Sequence, residues 1–125
     1  MKKERFEKAE GEYDFDNDVF SALPAKREYD SSLQIGNLIF DLDSNGKVNG
    51  IEILNASSIF GIPKVFLNSI VSGKIEIEVN KRIIKVRISI KSLVRNAHKT
   101  STINVERLKP ELIAPAELKL ALASS

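Results

Sequence analysis

One twelve-residue segment, residues 41–52, has the residue types and spacing of an EF-hand calcium loop. Asp41, Asp43 and Asn45 occupy its first, third and fifth positions, and Glu52 occupies its twelfth. Calcium prefers such oxygen ligands, and the motif needs a glycine at the sixth position for a sharp turn, which Gly46 provides. The segment therefore contains every side chain that an EF-hand calcium site requires.

The sequence on both sides of this segment predicts β-strands, whereas an EF-hand is flanked by two helices. Residues 37–40 and 51–54 are rich in apolar and β-branched side chains. An Asn-Gly pair between two such runs is the strongest short-range signal of a β-hairpin. Each strand residue adds roughly 3.3 Å, so Glu52 would lie too far from the turn to complete an ion shell. We therefore predict a hairpin turn in which Asp43 accepts backbone N–H groups.

A second hypothesis keeps a metal at this place without the EF-hand geometry. Asp41, Asp43 and Asn45 could join Asp14, Asp16 or Asp18 of an earlier turn and form a low-affinity cation site. We keep the first three and Asp14 as its candidate ligands.

Catalytic chemistry has little support. His98 is the one histidine, and its neighbours match no known arrangement of nucleophile, base and acid. The chain has no Cys, and its six Gly are scattered, so no thiolate site and no glycine-rich phosphate loop can form. We expect no enzyme activity and no cofactor.

Basic residues define a candidate nucleic-acid surface, since phosphates are bound mainly through Lys and Arg. The candidates alternate along a predicted hairpin and the segment after it: they are Lys85, Arg87, Lys91, Arg95 and Lys99. Glu76 and Glu78 on the neighbouring strand can pair with the first two. No aromatic residue follows Phe66, so stacking of bases on this surface is not expected.

Composition is that of a globular protein. The 125 residues are 42% hydrophobic and 29% charged, which suits a single domain with one core. The N-terminal residues are charged, and no run approaches about 18 apolar residues, so we expect a cytoplasmic protein that does not bind membranes.

The periodicity predicts an α+β fold that is predominantly antiparallel β, with hairpins and one short core-facing helix. Residues 12–23 predict two strands joined by a turn at Asp16-Asn17-Asp18, and residues 33–42 predict one strand leading into the hairpin. The helix is expected over residues 58–71, broken near Pro63 and ended near Gly73.

The C-terminal half predicts a basic β region over residues 74–108. It contains a hairpin that turns near Asn80-Lys81, a basic connector over residues 93–99 and another strand over residues 100–108. Residues 111–125 alternate too weakly for an assignment and are treated as a tail.

The two halves differ in charge. Residues 1–60 contain 7 basic and 12 acidic residues, whereas residues 61–125 contain 12 basic and 5 acidic residues. This asymmetry indicates either a basic binding face or charge pairing between opposite strands, and the second is the more ordinary outcome in a sheet.

Two blocks of the sequence resemble a small prokaryotic domain-of-unknown-function family. The first is Tyr13-Asp14 with Asp18-Val19, and the second reads D-x-D-x-x-G-x-V-x-G-I-E-I-L-N-A-S from Asp41 to Ser57. The likeness covers about residues 12–60, and the rest is similar only in general terms to longer archaeal members. The second strand departs from the family, with Val19-Phe20-Ser21 in place of a Val-Leu-Tyr type. The resemblance implies a small β-rich fold and no established activity.

The function expected from these features is association with another macromolecule. Several runs appear apolar on both faces, and strand edges left over in such a sheet invite pairing. We predict a homo-oligomer or a protein-binding module, such as the regulatory or neutralising member of a two-protein system. The alternative is nucleic-acid binding through residues 81–99.

Overall fold

A computed structural model describes residues 5–122, which form nine strands and two short helices. The strands are β1 (Glu7–Asp14), β2 (Val19–Pro24), β3 (Ser31–Ile35), β4 (Leu38–Leu42), β5 (Val48–Ile53), β6 (Ile70–Val79), β7 (Ile83–Val94), β8 (Ala97–Leu108) and β9 (Ala116–Leu122). The helices are α1 (Ala56–Phe60) and α2 (Lys64–Leu67). The expected β-rich, predominantly antiparallel fold is confirmed.

All nine strands belong to one sheet with the order β3-β4-β5-β2-β1-β9-β6-β7-β8. Neighbours are antiparallel except β1 and β9, which pair in parallel from Glu7–Leu120 to Ala9–Leu122. The sheet curls, since β9 also contacts β5. The helices lie against the C-terminal strands, with α1 contacting β8 and α2 contacting β7.

The inner face of the curled sheet forms one hydrophobic core. Phe20 and Ile51 enter it from the N-terminal strands, and Ile77 and Ile88 enter it from the C-terminal strands, all with 2% exposure or less. The alternation predicted for β7 is confirmed, because Ile84, Val86, Ile88 and Ile90 are buried whereas the residues between them face outwards.

In the order of the sheet, the strands of residues 1–60, which are net acidic, do not alternate with the strands of residues 61–125, which are net basic. The five N-terminal strands are contiguous on one side of the order, and the four C-terminal strands are contiguous on the other. Among the strands of residues 5–122, only the short β1–β9 pairing joins the two groups. Within the C-terminal group, residues of opposite charge face each other on neighbouring strands, since Glu76 lies opposite Arg87 and Glu78 lies opposite Lys85.

The single strand predicted over residues 33–42 is wrong, because the chain reverses within it. Gly36 has φ of +58°, and the chain forms a tight hairpin between β3 and β4 in which Ile35 pairs with Leu38. A glycine adopts this left-handed conformation without the steric cost of a Cβ atom. The Gly36-Asn37 pair is itself a hairpin signal.

The helix predicted over residues 58–71 is two helices and the start of a strand. Gly61 is left-handed, with φ of +68°, and ends α1, and the extended Pro63 precedes α2. Ile70 and Val71 belong to β6, where pairing with β7 overrides their helical spacing. Gly73 therefore lies within a strand and ends no helix.

The predicted basic connector over residues 93–99 is also wrong. β7 and β8 are each twelve residues long and are joined by the two-residue turn Arg95-Asn96. Residues 116–122 of the predicted tail form β9, which lies between β1 and β6. Residues 123–125 lie outside the described range. Among the described residues, no helix has the length and apolar character needed to cross a bilayer.

Candidate functional site

The calcium-like segment is a hairpin turn between β4 and β5, as the strand pattern predicts. The Asp43 carboxylate accepts hydrogen bonds from the backbone N–H groups of Asn45, at 2.8 Å, and Lys47, at 3.0 Å. Gly46 adopts φ of +77°. Asp43 thus organises the turn, and Asn45 contributes its backbone N–H to it.

Asp41 lies on β4 and is 5% exposed. One carboxylate oxygen forms a 2.7 Å ion pair with Arg27, and the other accepts a 2.7 Å hydrogen bond from the Ser32 hydroxyl. Arg27 in turn lies over the Tyr29 ring, 5.2 Å from its centre. Both Asp41 oxygens are therefore used within the protein.

Asp14, the remaining metal candidate, lies in the β1–β2 hairpin. It accepts hydrogen bonds from the side chain and the backbone N–H of Asn17, and these bonds lower the pKa of Asp14. Within residues 5–122, no three His, Asp or Glu side chains are grouped so that they could hold a metal ion.

Asp18 is the centre of a polar network that joins distant parts of the sequence. Its carboxylate accepts a 2.6 Å hydrogen bond from the Tyr13 hydroxyl, a 2.6 Å bond from the Ser57 hydroxyl and a 3.0 Å bond from the Ser57 backbone N–H. Its backbone carbonyl accepts from the Ala56 N–H. Asn55, at the start of α1, makes no side-chain capping bond, so Asp18 supplies the acceptors for this helix terminus.

The electrostatics of Asp18 and Tyr13 follow from these bonds. Burial alone would raise the pKa of Asp18, but the hydrogen bonds from Ser57 and Tyr13 outweigh it, and the pKa is lowered. Burial and then the hydrogen bond to Asp18 raise the pKa of Tyr13 well above its ordinary value. The network therefore favours an ionised carboxylate beside a neutral phenol.

The five basic candidates for nucleic-acid binding lie in two separate regions of the β7–β8 hairpin. Lys85 lies between Glu78 and Glu106 on the outer face of the sheet, and Arg87 lies between Glu76 and Asn104. These two cations are therefore surrounded by polar and acidic neighbours.

Lys91, Arg95 and Lys99 lie at the other end of the same hairpin. Lys91 pairs with Thr100 on the outer face, and Arg95 begins the turn. Lys99 is on the inner face, where its ammonium lies 5.1 Å from the centre of the Phe66 ring. His98 is exposed and lies opposite Leu93.

The feature that sequence reasoning missed is the length of β8, because residues 97–99 were assigned to a connector. β8 ends the sheet, and β7 is its one hydrogen-bonded neighbour among the described strands. Its outer face carries Thr100, Thr102 and Asn104, all exposed, and its inner face carries the half-buried Ile103 and Val105. The turn Arg95-Asn96 contains no glycine, so the sequence did not indicate that β7 and β8 both extend to it.

Comparisons with known proteins bear on the N-terminal half most directly. The family described as "Protein of unknown function (DUF2283)" matches residues 12–57. A protein of Methanosarcina mazei named "Putative hypoxanthine phosphoribosyltransferase" is 31% identical over 88 residues, which cover 70% of this chain and 70% of that protein. The chain belongs to the DUF2283 family.

Another similar protein is an uncharacterised protein of Methanocaldococcus jannaschii, which is 31% identical over 85 residues, covering 67% of this chain and 73% of that protein. No solved structure matches the chain. The expected domain-of-unknown-function membership is thus confirmed, and the DUF2283 match begins just before Tyr13 and ends at Ser57. The Asp18 network joins the two ends of that match, so in this chain these motif residues stabilise the fold.

Proposed function

We propose that this DUF2283 protein acts as an association module whose binding site is the exposed edge of β8. The observation that carries the proposal is a twelve-residue edge strand whose central residues have none of the features that normally prevent pairing with another chain. Residues 100–105, Thr-Ser-Thr-Ile-Asn-Val, contain no charge, no proline and no glycine. The pairing of β7 with β8 also proceeds without a bulge.

Edge strands normally carry features that prevent pairing with another chain. Such features are short length, bulges, prolines and charged side chains, above all lysine. The opposite edge of this sheet is only five residues long, from Ser31 to Ile35. β8 has charged residues near its ends, such as Lys99 and Glu106, and none between Thr100 and Val105. Its backbone groups are suited to accept an added strand.

The occupant of this edge would be a strand of a second copy or of a different protein. The second case corresponds to the regulatory or neutralising member of a two-protein system. Neither case requires catalysis by this chain or a cofactor.

The activity in the name of the Methanosarcina protein belongs to that protein. Transfer of a phosphoribosyl group requires phosphate binding, for which glycine-rich loops at helix N-termini are suited. The two helices of the described chain are five and four residues long and follow Asn55 and Pro63. Association through β8 is therefore the better supported role.

The test places a lysine, which disfavours strand pairing, on each of the two edge strands of the sheet. Thr102→Lys places a lysine at the centre of β8, whereas Gln34→Lys places one on β3 as the matched control. Light scattering over increasing concentration, together with binding of a synthetic peptide of residues 97–108, reports strand addition. We expect Thr102→Lys to weaken association at least tenfold and Gln34→Lys to leave it unchanged. If neither self-association nor peptide binding depends on Thr102, the proposed role is wrong.

Nucleic-acid binding is a second candidate, favoured by one specific observation. Arg95 is held in the left-handed region, with φ of +50°, at a turn where glycine or asparagine is preferred. A strained residue is a reason to look for a function, and this one is a cation in a stretch, residues 79–105, without any acidic residue.

The corresponding test is an electrophoretic shift with DNA and RNA at about 50 mM salt, where phosphate contacts are strongest. Arg95→Gln should weaken binding, whereas Arg87→Gln, on the same hairpin beside Glu76, serves as the matched control. No retardation of either nucleic acid by the unsubstituted protein would remove this candidate.

A further inference from the structure

We infer that the occupant of the β8 edge is a second copy of this chain, paired antiparallel with a two-fold axis at Thr102. This inference rests on the proposed association role. It adds the identity of the partner and the register of the pairing.

Symmetry limits the possible registers. A two-fold axis perpendicular to the sheet places residues of the same face opposite each other, so one residue of β8 must face its own copy. Two registers give the longest overlap within Ala97–Leu108. One has its axis at Thr102 and pairs residues 97–107, and the other has its axis at Ile103 and pairs residues 98–108. Each contains eleven residue pairs, or about 37 Å of strand.

Charge distinguishes these two registers. With the axis at Ile103, Lys99 lies opposite the partner's Arg107, and symmetry repeats this repulsion. With the axis at Thr102, no like charges face each other, because Lys99 lies opposite the partner's Val105 and Arg107 lies opposite the partner's Ala97. Like charges directly opposite each other destabilise an antiparallel pair and opposite charges stabilise it. The Thr102 register is therefore favoured.

The remaining pairs of this register also fit. On the outer face Thr100 lies opposite the partner's Asn104, and the two Thr102 residues face each other, so hydroxyl and amide groups meet across the strands. On the inner face Ile103 has the partner's Ile103 as a diagonal neighbour, within reach of a side-chain contact. Pairing would thus cover the half-buried Ile103.

Pairing of β8 with the opposite edge of a second copy is less suitable. β3 offers five residues, against eleven in the symmetric pairing. A β8–β3 contact would also be heterologous, and such contacts extend into rings or fibres unless the rotation closes. The symmetric dimer uses the longest edge of the sheet and leaves no further β8 edge exposed.

The register can be measured with single-cysteine variants, because the sequence contains no Cys. Thr100→Cys, Thr102→Cys and Asn104→Cys each place a spin label on the outer face of β8, and dipolar spectroscopy gives the distance between copies. We expect the shortest distance at position 102. Positions 100 and 104 should give equal, longer distances, since each is displaced by four residues, about 14 Å along the strand.

The outcomes separate the inference from the proposed function. Equal distances at positions 102 and 104, with a longer one at 100, indicate the Ile103 register and overturn the inference while leaving the association role intact. A protein that remains monomeric at all concentrations but binds the peptide of residues 97–108 also overturns the second copy as partner. A dimer that retains its affinity in Thr102→Lys is formed elsewhere and overturns both.

A charge reversal gives an independent check. His98→Glu should weaken the dimer about tenfold, because it places a second carboxylate opposite the partner's Glu106, and adding Glu106→Lys should restore it, because the pair is then opposite in charge. Glu76→Lys, on the same outer face but on β6, is the matched control and should not change the dimer. Failure of Glu106→Lys to restore the affinity lost in His98→Glu would contradict the Thr102 register.

Discussion

Ser57 donates two hydrogen bonds to Asp18, one from its hydroxyl and one from its backbone N–H, although 39 positions separate the two residues. The pair attaches the β1–β2 turn to the first turn of α1. Because Asp18 lies in the N-terminal hairpin and α1 contacts β8, this connection links the N-terminal hairpin to the C-terminal strands through the helix.

Removal of the Ser57 hydroxyl should destabilise the protein. Ser57→Ala deletes one hydrogen bond to an ionised acceptor, and such bonds contribute about 1.5–3 kcal/mol. We expect a loss of about 2 kcal/mol in the free energy of unfolding, measured in urea. Ser58→Ala, at the exposed neighbouring position, is the control and should change stability by less than about 0.5 kcal/mol. Equal effects of the two substitutions would contradict the role of Asp18 as a helix cap.

Stability should fall at alkaline pH through Tyr13. Its pKa is raised in the folded protein, so its stabilising contribution is complete below the ordinary pKa of about 10 and is lost as the pH rises above that value. The free energy of unfolding should decrease more between pH 8 and pH 11 in the unsubstituted protein than in Tyr13→Phe. A decrease of the same size in both proteins would show that Tyr13 does not carry the effect.

Loss of one partner of the buried Arg27–Asp41 ion pair should destabilise the protein more than loss of both partners. Arg27→Met leaves Asp41 buried without its cation, and we expect a loss of about 2 kcal/mol. This is less than for a fully buried pair, since 23% of the Arg27 side chain is exposed. The double substitution Arg27→Met with Asp41→Asn should cost less than Arg27→Met alone. Urea unfolding of the four proteins would measure this, and a double variant less stable than Arg27→Met would contradict it.

Relief of the strained turn should stabilise the protein. Arg95→Asn replaces a long side chain at φ of +50° with one that tolerates the left-handed region, and we expect a gain of roughly 0.5–1 kcal/mol. The reverse kind of change, Asn96→Ala, places an alanine at φ of +63° and should destabilise the protein. Thermal unfolding of both variants measures the effect, and a destabilised Arg95→Asn would show that Arg95 makes a compensating contact.

Calcium should not stabilise the protein, because Asp41 and Asp43 already use their carboxylates within the fold. A site with a dissociation constant near 10 μM would add about 2.7 kcal/mol at 1 mM calcium. We expect no change in the unfolding midpoint between 1 mM calcium and a chelator. A clear rise in calcium would restore the cation-site hypothesis for Asp41, Asp43, Asn45 and Asp14.

The sequence predicted the structures that depend on neighbouring residues. Asp43 and Gly46 form the β4–β5 turn, and Asn80 organises the β6–β7 turn by accepting from the N–H groups of Arg82 and Ile83. In each case a short polar side chain satisfies backbone donors within four residues, so the signal is local.

Structures that depend on distant parts of the chain could not be predicted in this way. The Asp18–Ser57 and Arg27–Asp41 contacts join residues 39 and 14 positions apart. Ile70 and Val71 had helical spacing but became strand residues because β7 was available for pairing. Likewise, the weak alternation of residues 116–122 did not reveal that two strands would enclose them.

The position of β9 between β1 and β6 also has a consequence for how the protein matures on the ribosome. β1 is synthesised about 100 residues before its parallel neighbour, which at 5–20 residues per second is a delay of roughly 5–20 s. During that interval the backbone edge of β1 that β9 will later occupy stays open, and the edge of β6 opens in the same way once β6 and β7 have paired. Ribosome-bound chaperones that shield extended segments would be most useful to this protein in those seconds.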